Sequence, residues 1–166
     1  RLDFPEDAKL AYLSQTTLAV TETRDIIARL RERFPSIVGP RTDDICYATT
    51  NRQAAVKQMA PHCDLVLVIG SRNSSNSNRL VEVAREHGAD SYLIDSEEQV
   101  REEWLEGTRV VGITSGASAP EELVQRLVAF FRARGTEQVE EFEVVQEDVR
   151  FMLPKTIRQA LAAQAD

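Results

Sequence analysis

The segment that most constrains the fold runs from residue 64 to residue 80 and reads DLVLVIGSRNSSNSNRL. Its apolar run, Leu65–Ile69, has the length and composition of a strand that is buried on both faces. The run leads into a loop of glycine, serine and asparagine, which is followed by a helical pattern. The segment therefore predicts a strand, a loop and a helix of an α/β protein.

The loop after this strand has the composition of an anion-binding site. Small residues let a ligand approach the backbone, serine and asparagine side chains donate hydrogen bonds, and the helix start offers free N–H groups. The loop has no lysine and matches neither the Walker A nor the GxGxxG motif. We therefore expect neutral donors that hold a phosphate or diphosphate. The alternative is a solvated turn that only caps the helix.

Strands and helices alternate along the chain, which predicts a parallel-sheet, three-layer α/β domain. Right-handed crossovers place the loops that follow the strands at one edge of such a sheet, where ligands bind. A connector at residues 38–44 is the best internal boundary. Strands are predicted at residues 10–13, 45–48, 65–69, 91–94 and 110–114, with an edge hairpin or added strand within 139–153. Helices are predicted at residues 21–34, 52–60, 78–87, 97–104, 121–133 and 157–163.

Polar side chains collect at the predicted ligand edge. The pair Thr16 and Thr17 joins them if the first strand belongs to a neighbouring sheet that faces the same cleft. An edge without lysine or an acid pair suits diphosphate binding better than acid–base catalysis. The other residues at this edge are Cys46, Ser74, Ser75, Asn76 and Ser118.

Cys46 is the one thiol at this edge, and three interpretations of it stay open. It is a buried structural cysteine, a nucleophile for which these loops offer no histidine as a base, or a ligand of a metal or cluster. Iron–sulfur clusters take several thiolates, so further ligands would come from other sequence. Cys63 precedes a buried strand and is predicted to be structural, and His62 and His87 are predicted at helix ends in surface or capping roles.

Charge and composition limit the partners. A net charge of −7 argues against nucleic acid and against an anionic membrane surface. The sequence contains no run of about 20 apolar residues, so it predicts no membrane span. Two cysteines without CxxC spacing indicate a reducing cytoplasm. Because the sequence starts at Arg1, we expect a fragment or a processed product.

Four long motifs occur in an order and spacing that point to a known family. They read SQTTLAVTET at 14–23, PRTDDICYATTNRQ at 40–53, GSRNSSNSNRL at 70–80 and GITSGASAPEELV at 112–124. Together they resemble the C-terminal motifs of the 4-hydroxy-3-methylbut-2-enyl diphosphate reductases, which catalyse the last step of the methylerythritol phosphate route to isoprenoids. The resemblance covers essentially the whole chain.

The resemblance implies a pseudo-threefold protein of three α/β domains around a central [4Fe–4S] cluster. It implies reductive dehydroxylation of the substrate to isopentenyl and dimethylallyl diphosphate, with a flavodoxin or ferredoxin as electron donor. Residues 1–43 would end the middle domain, residues 44–135 would be the third domain, and residues 136–166 would be a tail. The alternatives are a non-catalytic, Rossmann-like module that binds a phosphorylated ligand, and a purely structural domain of a larger assembly.

The resemblance also assigns roles to single residues. The family's other two cluster cysteines, its substrate-binding histidines and its proton-relaying glutamate lie in an N-terminal half that this sequence lacks, so the chain alone is expected to be inactive. The roles implied here are cluster ligand for Cys46, substrate contact near the reacting hydroxyl for Thr16, and diphosphate binding for Ser74, Ser75, Asn76 and Ser118.

Overall fold

The computed structural model describes residues 4–5, 8–18, 20–40, 46–142 and 144. In that part of the chain, a three-stranded parallel sheet is covered by helices on both faces. The strands are β1 (Leu65–Ile69), β2 (Asp90–Ile94) and β3 (Val111–Ser115), and the helices are α1 (Val20–Arg33), α2 (Tyr47–Met59), α3 (Ser75–Glu86) and α4 (Glu121–Ala133).

The central strand, β1, pairs in parallel with β2 on one side and β3 on the other. All five of its residues are buried, as an unbroken apolar run predicts. Its residues alternate between the two faces. Val66 and Val68 pack with α2 and α3, whereas Leu65, Leu67 and Ile69 pack with α4. Burying one such large side chain contributes about 1.5–3 kcal/mol to folding. The predicted three-layer α/β architecture is therefore confirmed.

Two helices begin three or more residues earlier than the sequence predicts. Helix α2 begins at Tyr47, so the strand predicted at residues 45–48 is wrong in its described part. The reason is that Cys46 takes the extended conformation of an N-cap residue, and its carbonyl oxygen accepts the N–H of Thr50 at 3.0 Å. Helix α3 begins at Ser75 rather than residue 78, because Ser74 caps it.

The helix predicted at residues 97–104 is also wrong. Two single 3₁₀ turns, Glu97–Gln99 and Glu102–Trp104, are separated by Val100 and Arg101 in extended conformation. This break lets Val100 and Trp104 pack against the cluster beneath α4.

The strand predicted near the start of the chain and the hairpin and helix predicted near its end have different outcomes. Residues 10–13 form no strand but one parallel bridge, between Ala11 and Val38. Residues 139–142 are not in a strand, and neither is residue 144. The other residues of the predicted hairpin and the helix predicted at residues 157–163 lie outside the described residues. None of the helices in the described ranges is both long and apolar enough to cross a membrane.

Candidate functional site

The loops that follow β1 and β3 run side by side at the carboxyl edge of the sheet. The N–H of Gly116 donates to the carbonyl oxygen of Ile69 at 2.8 Å, and the N–H of Gly70 donates to that of Ile94 at 3.0 Å. Backbone hydrogen bonding between neighbouring strands thus continues one residue past the ends of β1 and β3. The edge that the topology predicts as the ligand site is therefore formed by these two loops and by the start of α3.

Ser77, in the first turn of α3, lies between the two loops and is 1% exposed. A β-carbon at either Gly70 or Gly116 would collide with its Oγ atom. Both positions therefore require glycine for close approach of the helix, rather than for an unusual backbone conformation. Sequence analysis did not single out Ser77. The available signal was the glycine directly after each of the two strands, Gly70 and Gly116.

Ser74 caps α3. Its Oγ accepts hydrogen bonds from the N–H of Ser77 at 3.3 Å and from the hydroxyl of Ser77 at 3.0 Å. The amide of Asn78 donates to the carbonyl oxygens of Arg72 at 2.8 Å and Ser74 at 2.9 Å, so it ties the preceding loop to the helix. The capping interpretation of the loop is thus correct for Ser74. Because a cap satisfies only part of the helix start, it leaves other donors there for a ligand.

Asn76 differs from its neighbours in the loop. It is only 7% exposed, and neither its Nδ2 nor its Oδ1 has a hydrogen-bond partner in the described part of the chain. Its Nδ2 lies 3.9 Å from where a β-carbon of Gly116 would be, so the amide borders the loop after β3. Buried amides in native proteins are almost always hydrogen-bonded, because an unpaired one costs about 1–3 kcal/mol. The Asn76 amide is therefore suited to bind a ligand at this edge.

The segment of Thr16 lies against the start of α2. The N–H of Cys46 donates to the carbonyl oxygen of Thr16 at 3.3 Å, and Gln53 donates through Nε2 to the carbonyl oxygen of Leu18 at 3.3 Å. Gln53 is 2% exposed. The backbone of the two predicted site residues Thr16 and Cys46 is thus in direct contact.

The Cys46 thiol is free and exposed in this chain, so it is not a buried structural cysteine of this sheet. Cys63 fits that interpretation, since it packs against the core cluster beneath α2 and borders Gly112. Burial raises the pKa of the Cys63 thiol, and the neighbouring charge of Asp64 raises it further. His62 ends a 3₁₀ turn and His87 is the C-cap of α3, where its Nδ1 lies 2.8 Å from the carbonyl oxygen of Val83, as predicted.

Arg52 connects α2 to the end of β3, and sequence reasoning missed it. Its Nη1 donates to the carbonyl oxygen of Ser115 at 3.0 Å and to the hydroxyl of Ser115 at 3.2 Å. The helix that begins after Cys46 is therefore held directly to the strand that leads into the Ser118 loop. No local pattern predicts this pairing, because the two residues are far apart in sequence.

The remaining predicted residues are exposed and are brought together only in part. Ser75 lines a cavity of about 310 Å³ together with Thr17 and Leu18, so the Thr16 segment and α3 share one cleft. Ser118 is exposed and makes no hydrogen bond among the described residues. Those residues also contain no group of three or more histidine, cysteine or acidic side chains that could hold a metal ion.

Comparisons with known proteins agree on one family. The profile of the family described as LytB protein matches residues 2–132. A 4-hydroxy-3-methylbut-2-enyl diphosphate reductase of Alcanivorax borkumensis is 54% identical over 153 residues, which cover 92% of this chain and 49% of the relative. A protein of the same name from Streptomyces avermitilis is 51% identical over 166 residues, 99% of this chain and 49% of the relative. The chain thus spans about half the length of the curated relatives it matches.

Solved structures give the same picture of the fold. The E-1-hydroxy-2-methyl-but-2-enyl-4-diphosphate reductase from Plasmodium falciparum superposes with a TM-score of 0.87 at 31% identity, over 100% of this chain and 53% of that one. A structure of (E)-4-hydroxy-3-methyl-but-2-enyl diphosphate reductase gives a TM-score of 0.52 at 28% identity, over 75% of this chain and 44% of that one.

Proposed function

The chain belongs to the LytB protein family, and we propose that it is the diphosphate-binding half of a 4-hydroxy-3-methylbut-2-enyl diphosphate reductase. In this proposal residues 44–135 form the third domain of a three-domain enzyme, residues 1–43 complete the middle domain, and residues 136–166 form a tail. The missing half would supply the remaining cluster ligands and the proton relay, so the chain alone turns over no substrate.

The observation that carries the proposal is the buried amide of Asn76, which has no hydrogen-bond partner among the residues that the structure describes. Its Nδ2 can donate to a diphosphate oxygen at the carboxyl edge of the sheet. The N–H groups of the first helical turn and the exposed hydroxyls of Ser75 and Ser118 add neutral donors. Ser74 combines its cap of α3 with a place at the rim of this site. Neutral donors suit a diphosphate in a chain of net charge −7, because they hold the anion by local hydrogen bonds.

A [4Fe–4S] cluster fits this chain only as a shared cofactor. Cys46 offers one free, exposed thiol at the start of α2, and the described residues offer no further ligand group around it. One thiolate agrees with a cluster whose other cysteines come from other domains. When bound, such a cluster would supply the electrons that break the allylic C–O bond, after delivery by a flavodoxin or ferredoxin.

This chain's own residues would bind and orient the substrate. Asn76 and the loop hydroxyls hold the diphosphate, and Thr16 donates its hydroxyl at the opposite, reacting end. The hydrogen bond between the backbones of Thr16 and Cys46 supports this arrangement, since it holds the substrate contact beside the proposed cluster ligand. Arg52 positions α2 relative to the loop that carries Ser118.

Titration with isopentenyl diphosphate tests the diphosphate site. Replacing Asn76 by alanine removes a donor to a charged group that is worth about 1.5–3 kcal/mol, so we expect affinity to fall by about one to two orders of magnitude. Ser118→Ala should act in the same direction. The matched control is Asn73→Ala in the same loop, because Asn73 is exposed and bonds Ser71 only through its backbone N–H. If Asn76→Ala binds isopentenyl diphosphate as tightly as the parent does, the loop is only a helix cap and the proposed diphosphate site is wrong.

A further inference from the structure

A second cavity, of about 330 Å³, lies against α3 and β2. It borders the proposed diphosphate site, because Arg72 lies in the loop after β1 and Asn78 in the first turn of α3, but neither Asn76 nor the loop after β3 lines it. Three arginines contribute to its wall, and so do both members of a stacked aromatic pair. The arginines are Arg72, Arg85 and Arg101.

These arginines keep their charge available. Arg85 donates from Nε and Nη2 to the carbonyl oxygen of Ser91, which is a neutral partner. Arg101 pairs with Glu103 at 3.3 Å, but the two side chains are 68% and 66% exposed, so the pair contributes little. Arg72 has no ion pair within the part of the chain that the structure describes.

One acid, Glu82, also lines the cavity, so three arginines in the lining stand against one glutamate, which itself pairs with Arg79 at 2.6 Å. The cavity is therefore a local concentration of positive charge in a chain whose net charge is −7. Clustered guanidinium groups are the typical protein partners of phosphate, since their N–H groups match its oxygens in pairs.

The aromatic pair gives the cavity a second property. The rings of Tyr92 and Trp104 stack with centroids 3.9 Å apart and planes inclined by 4°. The guanidinium of Arg85 lies 5.9 Å from the Tyr92 ring centre, and that of Arg101 lies 5.3 Å from the Trp104 ring centre. Aromatic rings and guanidinium planes both favour stacking with a heteroaromatic ring.

We propose that this cavity is a second ligand site, which binds a phosphorylated heteroaromatic compound of the nucleotide class. The phosphate would bind to Arg72, Arg85 and Arg101, and the base would lie against the Tyr92–Trp104 pair. The volume of about 330 Å³ suits a small molecule.

Trp104 is the single tryptophan of the chain, so its fluorescence reports on this cavity directly. We expect AMP to quench this fluorescence in a saturable manner. Adenosine and inorganic phosphate should each bind at least about tenfold more weakly, because each lacks one half of the recognised ligand. The double variant Arg72→Gln/Arg101→Gln should lose at least about tenfold in AMP affinity.

The matched control is Arg126→Gln/Arg132→Gln on α4, which changes the net charge equally at two exposed arginines outside the cavity. It should bind AMP as the parent does, and circular dichroism checks that both variants fold. Asn76→Ala should retain AMP binding, which separates this site from the diphosphate site. Equal binding of phosphate and AMP, an equal loss in both double variants, or no quenching by AMP would each overturn the proposal.

Discussion

The backbone N–H of Cys46 donates a hydrogen bond to the carbonyl oxygen of Thr16 at 3.3 Å. This contact joins the segment before α1 to the start of α2, and Gln53 reinforces it from inside the same interface. The only exposed thiol among the described residues therefore lies beside a threonine that we propose as a substrate contact.

Replacing Thr16 by alanine should lower turnover more than affinity. The variant keeps the backbone carbonyl that accepts the N–H of Cys46, so it removes only the side chain. An interaction made near the reacting hydroxyl contributes mainly to the transition state, so kcat should fall more than KM rises. The measurement uses the chain joined to the N-terminal half that its relatives carry. Thr16→Ser, which retains the hydroxyl, should recover most of the turnover, and a defect in affinity alone would contradict the role.

Cys46 and Cys63 should respond oppositely to substitution by serine. In the same longer protein, prepared without oxygen, Cys46→Ser should lose most of the bound iron and nearly all activity. Cys63→Ser should retain both, because Cys63 packs against the core cluster beneath α2. Iron analysis and the broad absorption near 400 nm measure the outcome. Equal iron in Cys46→Ser and in the parent would refute the ligand assignment.

Gly116→Ala should destabilise the fold because the new methyl group meets Ser77 Oγ. Overpacking of this kind costs about 1–3 kcal/mol, which thermal unfolding detects as a lower Tm. Adding Ser77→Ala should restore most of that loss, because the Ser77 β-carbon lies at 3.5 Å from the new methyl group, an ordinary contact.

Gly70→Ala provides the control for this rescue. At that position the Ser77 β-carbon itself lies at 2.7 Å, so Ser77→Ala should leave the defect in place. Equal rescue at the two glycines would show that Ser77 does not set the spacing of the loops.

Asp64 should make stability depend on pH in the acid range. Its Oδ2 accepts the backbone N–H groups of Arg109 and Val110, each at 2.9 Å, and these bonds hold the pKa of Asp64 below its ordinary value. A lowered folded-state pKa stabilises the protein above the unfolded-state pKa, and this contribution is lost as the pH falls through the folded-state pKa.

Denaturant unfolding of Asp64→Asn and the parent across pH checks this dependence. The difference in unfolding free energy should be largest near neutral pH. It should shrink as the pH falls below the ordinary aspartate pKa, where the unfolded state takes up a proton first, and it should be lost once the pH falls below the lowered folded-state pKa of Asp64. A difference that stays constant from pH 7 to pH 3 would contradict the effect.

Local patterns were sufficient for the elements with strong periodicity. The run Leu65–Ile69 is the central buried strand, and α4 lies at the predicted residues 121–133 with Leu127 and Phe131 buried. The start of α2 was not predictable in the same way, because the apolar run at 45–48 also suits a strand. A tertiary contact favours the helix there, since Cys46 is held at the N-cap by the carbonyl of Thr16.

The α/β class, the central strand and the edge at which polar loops collect were predictable from the sequence, because they follow from hydrophobic periodicity and the handedness of crossovers. The different environments of the loop's side chains depend on the tertiary structure: Ser74 caps α3, Ser77 fills the space between two glycines, and Asn76 is buried without a hydrogen-bond partner among the described residues. The three residues lie within four consecutive positions and are all small and polar. Their different environments come from long-range packing of α3 against the loops after β1 and β3, and no local pattern encodes that packing.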